Sequence, residues 1–159
     1  MKKRLTTFVL ILCFSILFSG CKDNNRYELD LTQYTEINFS MTPEDIIAYE
    51  NETYNNFSYT ETSGKVGHNL NFNDGTHMYT FSHDDNHLFQ AEYTIYDESI
   101  YHDLTSELTE LFGESNGDYD NFWYGNINGV PAAIWIIETT DTHVEFEKCV
   151  LSIFEVTEK

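Results

Sequence analysis

The chain has 159 residues, of which 41% are hydrophobic and 16% are aromatic, a composition that supplies a core and argues against disorder over most of its length. Its 27 acidic residues outnumber eight Lys and Arg, which excludes nucleic acid as a partner because two polyanions repel. An acidic solvating surface is the ordinary reason for such a charge, although the charge also favours a cationic partner or metal ions.

The N-terminus has the three-part order of a secretory signal peptide. A positive cluster at positions 2–4 precedes an apolar run from Leu5 to Phe18, and two small residues then precede Cys21. The apolar run is 14 residues long, whereas a helix that crosses the hydrocarbon core needs about 20. We therefore predict export and removal of residues 1–20 rather than a membrane-spanning helix.

The segment at positions 17–21, Leu-Phe-Ser-Gly-Cys, resembles the lipobox of bacterial lipoproteins. In that family, small residues precede an invariant cysteine that receives a diacylglyceryl group before cleavage. The resemblance implies that Cys21 is acylated and becomes the mature N-terminus, which places the protein on the extracytoplasmic side of the cell membrane. Two acyl chains suffice for such anchoring, because each buried methylene contributes about 0.8 kcal/mol. An ordinary signal peptide that ends near a cysteine is the alternative.

The remaining 139 residues are enough for one domain. We predict a lipidated cysteine and flexible polar tether over 21–34 and a single domain over 35–159. The mature chain keeps five cationic residues and all 27 acids, a side-chain charge of −22. Because Cys13 leaves with the signal and Cys21 carries lipid, a disulfide framework and a cysteine-rich zinc site are excluded. Cys149 is then expected to be a buried strand thiol, with a catalytic thiolate as the alternative.

The first predicted element of the domain is a short helix from Thr42 to about Glu50. Thr42 can accept from the free backbone N–H groups of the first turn, and Pro43 has the backbone angle of a first helical residue. Met41 and Ile46 have the spacing of a hydrophobic staple. The acids of this first turn are expected to serve the helix start rather than catalysis.

A β-rich stretch follows, with alternating apolar residues from Phe57 to Phe72, a turn at 73–75, and a strand that carries His77, Tyr79 and Phe81 on one face. The next strand is predicted to place Phe89 opposite Phe81. This register requires the three-residue loop Asp84–Asn86, with Asn86 in the left-handed conformation.

A second helix is predicted from the spacing of Tyr101, Leu104, Leu108 and Leu111, with Asp97 or Ser99 as its cap and Gly113 as its end. Strands at 121–127, 130–139 and 143–156 complete the domain, with a tight turn at Asn128–Gly129. The order of helices and strands predicts an α+β fold in which two short helices pack on an antiparallel, meander-rich sheet.

The chain resembles the small BamE-type (SmpA/OmlA) lipoproteins and the related β-lactamase-inhibitor-protein fold. The shared features are the lipobox, the Met41-Thr42-x-x-x-Ile46 start of a helix, and the Leu111–Gly113 ending of the second, although Ser40 replaces the glycine usual before the methionine. The resemblance covers about 115 residues in element order. It implies a binding or assembly role with no transferable active site.

One group of residues has the chemistry of a metal site. The predicted register places His83 and His87 opposite each other, and two imidazoles with Asp84 or Asp85 could hold Zn²⁺ or Cu²⁺. The alternative is a polar hairpin tip whose acids cap the turn.

An aromatic set is the second candidate site. It could line a sugar or peptide groove, with buried core packing as the alternative. Its members are Tyr119, Phe122, Trp123, Tyr124 and Trp135.

Signatures of hydrolases, phosphate-binding loops, zinc proteases and thiol oxidoreductases are absent from the sequence. We therefore expect a non-enzymatic, lipid-anchored domain that binds a protein or envelope partner. Metal capture through His83 and His87 is the alternative function, and an unrecognised hydrolase is a further one. The ligand and the oligomeric state do not follow from the sequence.

Overall fold

A computed structural model describes residues 36–54, 58–116, 120–140 and 146–157. The predicted signal peptide, Cys21 and the tether lie outside these ranges, as does Tyr119. None of the helices in the described ranges has the length and apolar character needed to cross a membrane.

The predicted α+β class is confirmed, because the described residues form two helices and a seven-stranded antiparallel sheet. The strand order is β1-β2-β3-β4-β7-β6-β5, so β4 is central and β1 and β5 are the edges. The elements are α1 (Pro43–Thr53), β1 (Tyr59–Ser63), β2 (Gly67–Phe72), β3 (His77–Ser82), β4 (Leu88–Ile95), α2 (Glu98–Phe112), β5 (Phe122–Ile127), β6 (Val130–Thr140) and β7 (Phe146–Glu155).

Helix α1 begins as the sequence predicts. The Thr42 hydroxyl accepts from the backbone N–H of Asp45 at 3.3 Å, and the Asp45 carboxylate accepts from the backbone N–H of Thr42 at 2.9 Å. These hydrogen bonds form a capping box. The bonds that the Asp45 carboxylate accepts from the Thr42 backbone N–H and hydroxyl lower the pKa of Asp45. Ile46 is buried and Met41 packs against the core, as a staple requires.

The turns follow the local chemistry of asparagine and glycine. Asn128 and Gly129 have φ values of 52° and 88°, as in the primed turns of two-residue hairpins. Asn86 has φ 55°, which confirms its predicted left-handed conformation.

The predicted register between β3 and β4 is correct from His77–Tyr93 to Thr80–Gln90 but is wrong by one residue beyond Thr80. Phe81 pairs with Leu88, not with Phe89, and the register shifts between Thr80 and Phe81. Because of this bulge, Leu88 takes the fully buried position and Phe89 is only half-buried. Five residues, 83–87, therefore connect the strands, so His83 and His87 are not a cross-strand pair.

Helix α2 has the predicted cap and end. The Asp97 carboxylate accepts from the backbone N–H of Ser99 at 2.9 Å, and Gly113 follows the last turn with φ 87°. Leu104 and Leu108 are fully buried, but Leu111 is 55% exposed, and half-buried Phe112 continues the packed side of the helix in its place.

The last turn of α2 packs through Phe112 against β5. A Cβ atom on Gly125 would lie only 2.3 Å from Cδ1 and Cε1 of the Phe112 ring. Glycine at this position is therefore what allows the ring to approach the strand.

Both helices pack on the same face of the sheet. Buried Glu50 of α1 contacts His77 and Tyr79 of β3, and the indole Nε1 of Trp123 on β5 donates to Gly113 O at 3.1 Å. The core lies between this face and the helices, and residues before α1 extend it through Ile37 and Phe39. The opposite face of the sheet is called the outer face below.

Candidate functional site

The outer face consists of the strand side chains that point away from α1 and α2. Cross-strand partners share a face, so the registers define two rows that cross all seven strands. The first row is Thr60, Asn71, Met78, Glu92, Ser152, Trp135 and Phe122. The second row is Thr62, Asn69, Thr80, Gln90, Phe154, Ala133 and Tyr124.

The outer face is nearly free of charge, although the chain has a formal net charge of −19. Along the described strands, its only carboxylate is Glu92 on β4 and its only ammonium group is Lys148 on β7. The abundant acids lie on the helices, on the loops and on the other side of the sheet. A surface of this kind is poorly suited to solubilising a protein and well suited to contact with another surface.

The β5–β6–β7 end of the outer face is aromatic. The Phe122 ring makes edge contacts with Tyr124, at a centroid distance of 5.0 Å, and with Trp135, at 6.1 Å. Tyr124 is 58% exposed and Ile137, on the same face of β6, is 42% exposed. This end can supply apolar area together with a phenolic hydroxyl, which is the chemistry of many protein interfaces.

The predicted aromatic groove is divided between the two faces of the sheet. Trp123 is 2% exposed and packs in the core, whereas Tyr124 and Trp135 lie on the outer face. Adjacent residues of a strand point to opposite faces, which separates Trp123 from Tyr124. The structure therefore brings Tyr124 and Trp135 together with Phe122 and assigns Trp123 to the core.

The opposite end of the outer face, at β1 and β2, is polar. The Asn71 amide donates to Thr62 Oγ1 at 3.2 Å, and the Asn69 amide contacts the Met78 sulfur at 3.5 Å. A hollow of about 340 Å³ lies beside β1 and is lined by Ser58, Tyr59, Thr60, Thr62, Asn71 and Gly75. Hydroxyl and amide groups therefore continue the uncharged surface to the edge of the sheet.

Glu92 occupies the middle strand of the outer face. One of its oxygens, Oε1, accepts from the Gln90 amide at 2.7 Å and from the Ser152 hydroxyl at 3.0 Å. Two neutral donors therefore fix the half-buried carboxylate, and its negative charge is not neutralised by these contacts. The arrangement can accept a further hydrogen bond or a cation from outside the domain.

A buried polar cluster lies on the other side of the sheet, beneath α1. Glu50 is fully buried, and its carboxylate accepts from His77 Nδ1 at 3.0 Å and from the Tyr79 hydroxyl at 2.6 Å. The Tyr79 and Tyr93 hydroxyls lie 3.2 Å apart. Burial raises the pKa of both phenols well above their usual range, so they remain donors at neutral pH. The cluster links α1 to β3 and β4.

This cluster was not predicted from the sequence. His77 was placed correctly on the core-facing side of β3, but its partner Glu50 lies 27 residues away in α1. The sequence has one feature that indicates burial of Glu50, because this residue lies one helical turn after Ile46 and so shares its buried side.

The predicted metal ligands lie at the β3–β4 hairpin but have separate partners. His83 Nε2 donates to Gly64 O at 3.0 Å, whereas His87 Nε2 pairs with the Glu155 carboxylate on β7. Asp85 accepts from the Ser82 hydroxyl and from the backbone N–H of His87, the latter at 3.1 Å, and these hydrogen bonds lower the pKa of Asp85.

Asp85 therefore has the turn-capping role that was the alternative to metal binding. Asp84 is exposed. Across residues 36–54, 58–116, 120–140 and 146–157, no three His, Cys, Asp or Glu side chains are grouped closely enough to hold a metal ion.

Cys149 is a buried strand thiol, as predicted. It is fully buried on β7, facing the helices, and is a free cysteine. Burial, with a smaller contribution from the Glu138 carboxylate, raises its pKa to about 12. The thiolate needed for nucleophilic chemistry is therefore strongly disfavoured at neutral pH.

Comparisons with protein-family models, with curated proteins and with solved structures found no match to this chain.

Proposed function

We propose that the protein is a lipid-anchored, extracytoplasmic binding module without enzymatic activity, and that its outer face engages a protein partner in the cell envelope. The observation that carries the proposal is the charge distribution. A chain with a formal net charge of −19 keeps one broad surface almost neutral, with Glu92 as the single carboxylate on this face of the described strands.

The composition of the outer face supports a protein as the partner. Cores of protein interfaces are depleted in charge and enriched in aromatic residues, which matches the surface around Tyr124 and Trp135. Acids elsewhere on the domain would repel anionic lipid head groups, so the lipid anchor has to hold the domain at the membrane in spite of this repulsion. The lipid on Cys21 would hold the domain at the membrane and leave the outer face for the partner.

The experiment compares two double variants with the same added charge. Tyr124→Glu with Ile137→Glu places two carboxylates on the outer face at exposed positions. Val66→Glu with Leu111→Glu adds the same charge at positions that are 75% and 55% exposed and lie outside that face. Each tagged protein is made in cells that also produce the untagged chain, cross-linked in native membranes and purified through its tag. Mass spectrometry then identifies the captured proteins, the untagged chain included.

We expect the control variant to capture the same partner as the unmodified protein and the outer-face variant to lose it. Equal capture by both variants, or by neither the unmodified protein nor the control, contradicts the proposed function. Intact-mass analysis of the same preparations tests the anchor. The expected species begins at Cys21 and carries the mass of its acyl groups, whereas an intact Met1 contradicts lipid anchoring.

A further inference from the structure

The charge of the whole chain limits what can approach the outer face. A strongly cationic partner would be drawn to the acidic helices and loops, because the attraction depends on charge that the outer face lacks. The outer face instead fits a surface that is itself uncharged and apolar at one end. A second copy of this chain presents such a surface, and it can approach the strongly acidic domain with least repulsion when the two nearly neutral faces meet.

The two charged groups of the outer face are suited to two-fold symmetry. Glu92 on β4 is paired in register with Ser152 on β7, and Lys148 lies four residues before Ser152, about 13 Å along the strand. In a two-fold interface, each contact between residues i and j occurs twice. An axis that crosses β7 near Val150 places Glu92 of each copy opposite Lys148 of the other.

The size of the outer face is in the range that a dimer requires. Seven strands spaced about 4.8 Å apart give a width of roughly 34 Å, and the shortest strand, β1, is about 17 Å long. The outline of this face is therefore roughly 600 Å² on each copy before the longer strands β6 and β7 are included. Within it the small side chains Thr80, Ala133 and Ser152 are already buried, so the larger neighbours would make the contact. Stable interfaces commonly bury about 800 Å² on each partner.

We infer that the partner of the outer face is a second copy of this chain, bound face to face with reciprocal Glu92–Lys148 ion pairs. This inference rests on the proposed function, because it names the occupant of the same surface. Tethering both copies to one membrane would raise their effective concentration and favour such an association. The neutral side chains of the two rows would form the contact between the sheets, and the two ion pairs would fix their relative orientation.

The test is sedimentation equilibrium of the full mature protein in a detergent matched to the solvent density. The unmodified protein is expected to have the mass of a dimer that dissociates on dilution. Tyr124→Glu with Ile137→Glu should weaken self-association by about a hundredfold or more, because four carboxylates would be buried without partners. The matched control, Val66→Glu with Leu111→Glu, should associate as the unmodified protein does.

A charge exchange tests the orientation. Glu92→Lys alone and Lys148→Glu alone each place like charges opposite one another and should each weaken the dimer by about tenfold or more. The double variant restores opposite charges across the axis and should associate more tightly than either single variant. Double variants that are no tighter than the singles would overturn the reciprocal pairing.

The result also separates this inference from the proposed function. A protein that remains monomeric at all concentrations, yet captures a different protein through the outer face in membranes, overturns the second copy as occupant and leaves the proposed function standing. If the control variant and the outer-face variant both lose partner capture and self-association, the result contradicts the inference and the proposed function.

Discussion

Replacing Glu50 with alanine tests whether the buried polar cluster holds α1 on the sheet. The carboxylate is fully buried and accepts from His77 Nδ1 at 3.0 Å and from the Tyr79 hydroxyl at 2.6 Å. Alanine leaves both donors buried without this acceptor, and each such group costs about 1–3 kcal/mol. It also leaves a cavity, so we expect a loss of about 3–5 kcal/mol in the free energy of unfolding.

Glutamine is the informative second variant at this position. Its amide oxygen can still accept from the Tyr79 hydroxyl, while its NH₂ group would face His77 Nδ1, which also donates. We therefore expect a smaller loss of about 1–2 kcal/mol in the free energy of unfolding. Urea unfolding followed by far-ultraviolet circular dichroism gives both values. Glu52→Ala, at an exposed position of the same helix, is the control and should change stability by no more than about 0.5 kcal/mol. A loss below about 1 kcal/mol for Glu50→Ala would refute the structural role of the cluster.

Three further predictions follow from the packing of the domain. Gly125→Ala should cost about 1–3 kcal/mol because its Cβ would lie 2.3 Å from the Phe112 ring, and the cost should fall sharply in a Phe112→Ala background if that contact is the cause. Burial raises the pKa of Tyr79 and Tyr93, so their contribution to stability is fully present below the ordinary phenol pKa of about 10 and is lost as the pH rises above it. Absorbance at 295 nm should show that both phenols ionise only when the protein unfolds. Ionisation of either phenol in the folded protein would contradict its burial. Cys149, with its pKa raised to about 12, should react with a disulfide reagent at pH 8 only as fast as the protein unfolds, and rapid stoichiometric labelling would be inconsistent with its position.

The parts of the fold that the sequence predicted correctly depend on local chemistry. The Thr42 cap, the Gly113 helix end and the Asn128–Gly129 turn need only neighbouring residues, and all three are present. The alternation of β3 also placed His77 on the buried face, because the strand period needs no tertiary information.

The register of the β3–β4 hairpin beyond Thr80 could not be predicted in the same way. Leu88 and Phe89 are both apolar, so alternation alone does not decide which of them faces Phe81. A bulge between Thr80 and Phe81 decides it, and the metal site built on His83 and His87 depended on the other choice.

The candidate site was predicted only in part. Tyr124 and Trp135 were identified as potential binding residues, but alternation should already have separated the adjacent Trp123 from them. The scarcity of charge on the outer face becomes visible only after the strand order β4-β7-β6-β5 is known, because this face combines residues from strands that are far apart in sequence. Which residues share the outer face therefore depends on long-range strand pairing, which composition and local spacing do not predict.

Site-directed photo-cross-linking in intact cells tests most directly whether the outer face is the binding surface. A photoreactive phenylalanine analogue at position 124 reports on the outer face, and the same analogue at position 111, also exposed but on the helix side, is the control. The account predicts a discrete adduct from position 124 and none from position 111. Adducts of equal yield from both positions, or from position 111 alone, would contradict it.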